Sequence, residues 1–96
     1  MNKESNRRAE NLAHVDFSGL VLGFSSAALY NLGQLEVEGQ QIAKSNLPLA
    51  LQNIEIVRLL KKKTLGNLTE DEAELISTVL NDLQEKYAKV QKLAAE

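Results

Sequence analysis

Asp16 to Gly33 reads D-F-S-G-L-V-L-G-F-S-S-A-A-L-Y-N-L-G and is the most apolar stretch of the chain. Gly19, Gly23 and Ala27 recur in it at four-residue spacing, which on a helix sets them along one line. Asp16 or Ser18 can cap the first turn by accepting a backbone N–H, and Gly33 supplies a C-terminal stop. On a helical wheel Phe17, Leu20, Val21, Phe24, Ala27, Ala28, Leu32 and Leu35 share one broad stripe, expected to face a core. Gly19, Gly23, Ser26 and Tyr30 lie roughly opposite, with Leu22 and Leu29 on their flanks. Each mid-helix Gly costs about 1 kcal/mol relative to Ala, a cost that close approach of another backbone would offset. Such a helix wants neighbours on more than one side, and the fold built around it is all-α.

Two other readings of this stretch fail on its flanks and its length. Lys3, Arg7 and Arg8 precede it as they would in a secretory signal, but Glu4, Glu10 and Asp16 interrupt the positive region. The run from Phe17 to Leu32 has 16 residues, short of the ~20 that a bilayer needs, and contains Ser25, Ser26 and Asn31. The expectation is a helix in water, with no membrane partner and a cytoplasmic location.

Outward from it, residues 1–14 are polar and aperiodic and read as a flexible tail, leaving 15–94 as a single helical domain. Residues 34–45 offer two choices. Leu35 and Val37 alternate with Glu36 and Glu38 before Gly39, which suits a short hairpin, yet two strands alone are marginal and a polar loop is the expectation. Asn46-Leu47-Pro48 opens a second helix, since Pro is tolerated in a first turn. Leu47, Ala50, Leu51, Ile54 and Val57 form one stripe on it, and Leu49, Ile56, Leu59 and Leu60 a second, roughly across the wheel. Lys61, Lys62 and Lys63 suit the negative end of its dipole, and Gly66 ends it.

The third helix opens on a capping box, Thr69 with Glu72, and Leu68 with Ala73 can form a hydrophobic staple. Ala73, Ile76, Leu80, Leu83, Tyr87 and Val90 then follow alternating three- and four-residue steps. Acids crowd its start, and Lys86, Lys89 and Lys92 its end. The predicted helices span about 17–33, 47–65 and 69–93. The short connection between the last two makes them an antiparallel hairpin.

Four fragments together carry a resemblance: V-D-F-S at 15–18, L-G at 32–33, N-L-P-L-A at 46–50 and G-N-L-T-x-x-E at 66–72. In that order and spacing they resemble a family of small bacterial proteins catalogued as domain of unknown function 1844, over about residues 15–90. The resemblance implies a bacterial, cytoplasmic setting and brings no activity or catalytic residue with it. The connection at 34–45 lacks the proline-rich character of the relatives.

Chemistry-bearing constellations are scarce. The 96 residues include no Cys and one His, His14, in the polar tail. A nucleophile paired with a base is therefore missing, and metal binding would rest on carboxylates alone; E-D-E-A-E at 70–74 is better explained as a charge cluster at a helix start. Gly19 and Gly23 lack the Lys-Ser/Thr continuation of a phosphate loop. No catalytic, cofactor-binding or metal-ligating residue is assigned, and no enzyme is expected. A formal net charge of −2 excludes a generally basic, nucleic-acid-coating surface.

Two surfaces remain. Arg58, Lys61, Lys62 and Lys63 form a positive patch that could hold RNA or anionic headgroups, although dipole complementation accounts for them and no aromatic platform accompanies them. Gly19, Leu22, Gly23, Ser26, Leu29 and Tyr30 outline a candidate groove for self-association. The first and second helices show more apolar faces than three helices need, so the expectation is a non-enzymatic, self-associating interaction or scaffold protein, a homodimer or higher oligomer, with an unidentified protein as a further partner. Nucleic-acid binding through the patch, or peripheral membrane association through the first helix, is the alternative.

Overall fold

The computed structural model describes residues 15–41 and 44–95. The expected flexible tail, with His14, lies outside the described residues. Three helices make up the fold: α1 (Phe17–Asn31), α2 (Leu47–Lys63) and α3 (Glu70–Ala95). Each packs on both others. The all-α three-helix unit read from periodicity is the observed one, with ends within two residues or so of those expected.

Local chemistry accounts for the helix ends. The Asp16 carboxylate accepts the Gly19 N–H at 2.7 Å and starts α1. At the other end Gly33 adopts φ 71°, its N–H reaches the Tyr30 carbonyl at 3.0 Å, and the Gln34 N–H reaches the Leu29 carbonyl at 2.9 Å. Those two bonds constitute a Schellman cap, which satisfies carbonyls that the helix itself leaves orphaned. Asn46 caps α2 through Leu49 N–H, with Pro48 in the first turn. Thr69 and Glu72 form the predicted capping box at α3: Thr69 N–H donates to Glu72 Oε1 at 2.9 Å, and Glu72 N–H to Thr69 Oγ1 at 3.2 Å.

The connection between α1 and α2 is a hairpin rather than the expected loop. Strands β1 (Glu36–Val37) and β2 (Gln40–Gln41) pair antiparallel, Glu36 opposite Gln41 and Val37 opposite Gln40. Glu38 and Gly39 between them have φ 52° and 80°, the positive pair of a type I′ turn whose twist matches paired strands. The marginality of two isolated strands is relieved because both ends are tied down. The Asn46 N–H donates to the Asn31 carbonyl at 2.6 Å, which brings the start of α2 against the end of α1.

The core lies where the three helices meet. Val21 and Ala28 from α1, Ile54 and Val57 from α2, and Ile76, Leu80 and Leu83 from α3 form one buried cluster. Phe17, Phe24, Leu29, Leu60, Leu68, Val79 and Tyr87 pack around it partly buried. No polar or charged side chain is buried among the described residues. Chain length sets the outline: at 1.5 Å per residue, the 26 residues of α3 run about 39 Å and the 17 of α2 about 26 Å. The last turns of α3 therefore outrun the hairpin, and Leu93 there is 68% exposed.

Candidate interaction surface

α1 turns its buried side toward the core through Val21, Ala28 and Leu32. That inward direction is rotated from the stripe expected from the wheel. Leu20, placed in the core stripe by its spacing, is 42% exposed, and Ala27 and Phe24 are only partly buried. Leu29, expected in the outer groove, packs against the core instead. The reason is that α1 is apolar on nearly every side, so its own residues do not determine which side a neighbour takes; α2 and α3 do.

Gly19, Leu22, Gly23, Ser26 and Tyr30 of the candidate groove all lie on the exposed side. A Cβ built on Gly23 would meet nothing within 4 Å. Close packing of the glycines against α2 or α3 within one chain is thus not what occupies this line. At Gly19 an added Cβ would come 3.0 Å from Asp16 Oδ1, the capping oxygen, so there the small residue makes room for the cap. Leu20, Phe24 and Ala27 join Gly19 and Gly23 in lining an open apolar groove of about 350 Å³. Of the three, all expected in the core stripe, Phe24 does pack against the core cluster while also lining the groove, Ala27 is half-buried, and Leu20 is exposed.

This face carries no charge. No residue from Phe17 to Leu35 is acidic or basic; Asp16 and Glu36 bracket the segment. It continues onto α2. Asn31 Nδ2 donates to Asn53 Oδ1 at 2.8 Å across the α1–α2 seam. Ala27 is one turn before Asn31, and Leu49 and Ile56 are one turn either side of Asn53, so the exposed parts of the two helices adjoin at that bond. Of the second stripe of α2, Leu49 is 46% exposed and Leu59 52% exposed, Ile56 is half-buried, and Leu60 packs on the core.

The positive patch is less concentrated than its sequence. Arg58 is engaged on its own helix and across it: Nε donates to both Glu55 oxygens at 3.2 Å, and Nη2 lies 3.1 Å from Glu55 Oε1. With the Gln84 amide turned oxygen-first, Arg58 Nη1 and Nη2 also donate to it at 2.7 and 2.9 Å. Lys61 is half-buried beside a cleft of about 340 Å³ between α2 and α3, which Leu65, Leu68 and Ile76 also line. Lys62 and Lys63 are exposed. Successive helical positions point about 100° apart, so the three lysines do not converge on one point.

Among the described residues no three His, Asp or Glu side chains are grouped to hold a metal ion. No helix among them is long and apolar enough to cross a membrane.

The family model described as domain of unknown function (DUF1844) matches residues 14–89, and the chain belongs to that family. No curated protein and no solved structure matches it.

Proposed function

We propose that this member of the DUF1844 family is a non-enzymatic interaction protein that assembles with copies of itself through the exposed face of α1. The observation that carries this reading is the open, uncharged groove over Gly19, Leu20, Gly23, Phe24 and Ala27. A glycine in the middle of a helix weakens it by about 1 kcal/mol, and inside one chain nothing approaches Gly23 to offset that. A second backbone laid along this line would. A chain without Cys has no disulfide to add, and burial between copies is the stabilisation open to a unit of this size. The lack of Cys also fits a reducing compartment such as the bacterial cytoplasm.

Light scattering or sedimentation on the purified protein tests the proposal. The native chain is expected to run as a dimer or larger. Gly23→Leu is expected to run as a monomer with its helical circular dichroism intact, because the new side chain projects into open space within its own copy. A native chain that is monomeric at high concentration and indifferent to the substitution sinks the idea.

A further inference from the structure

We draw no further inference here: the strongest candidate, the apolar cleft of about 340 Å³ between α2 and α3, carries Lys61 and Glu70 on its lining, whose opposite charges favour no one ligand, and nothing in the structure shows what covers it.

Discussion

Thr69 and Glu72 each satisfy the other's backbone N–H at the start of α3, so truncating the Thr69 side chain leaves the Glu72 N–H without its acceptor. Thr69→Ala is expected to cost about 1 kcal/mol, read as a lower urea midpoint with an unchanged slope. Leu83 is fully buried in the cluster shared by all three helices, and Leu83→Ala should cost about 2–5 kcal/mol by leaving a cavity that rigid neighbours fill only in part. Glu38 is the counter-example, a side chain where the backbone prefers none. At φ 52° a non-glycine residue in the left-handed region loses about 1 kcal/mol or more, and Glu38→Gly removes that strain within the type I′ turn. A rise in the thermal midpoint for Glu38→Gly, against no change or a fall, decides it.

Among the elements, α2 and α3 announce themselves in their residues, because each has caps and a polar side that only water could suit. The Asn46 cap, the Pro48 first turn and the Thr69–Glu72 box mark helix starts where the structure has them. α1 is different. Its ends are readable from Asp16 and Gly33, yet its orientation is not, since hydrophobic residues surround it and the glycines add no preference of their own. Leu20 and Leu29 exchanged the roles expected of them for that reason. The hairpin at 36–41 was legible only as one of two choices, because its stability comes from the Asn46–Asn31 tie, a contact between residues fifteen apart in the chain. The overhanging end of α3 yields an element-scale prediction. Its last turns are exposed and add nothing to the buried cluster, so a chain ending at Gln91 should keep its stability to within about 0.5 kcal/mol of the full chain. A larger loss in thermal denaturation would show that something packs on Leu93.

For the molecule as a whole, the candidate surface was half visible in the sequence: Gly19 and Gly23 pointed to it, while Leu20, Phe24 and Ala27 entered only once the core direction was known. The lysine run is concentrated in one dimension and disperses in three, with Arg58 engaged by Glu55 and, with its amide turned oxygen-first, by Gln84. The uncharged span from Phe17 to Leu35 has a consequence for how the protein would respond to its surroundings. Contacts that rely on charge weaken as the Debye length shrinks from roughly 10 Å at 0.1 M salt to 3 Å at 1 M. A contact made through α1 has nothing for ions to screen, and excluded salts such as sulfate tighten apolar burial. The dissociation constant of the proposed self-assembly is therefore expected to hold steady between low and half-molar sodium chloride and to fall in sulfate, measured by sedimentation. An assembly made this way would be indifferent to swings in ionic strength, joined in dilute and concentrated salt alike.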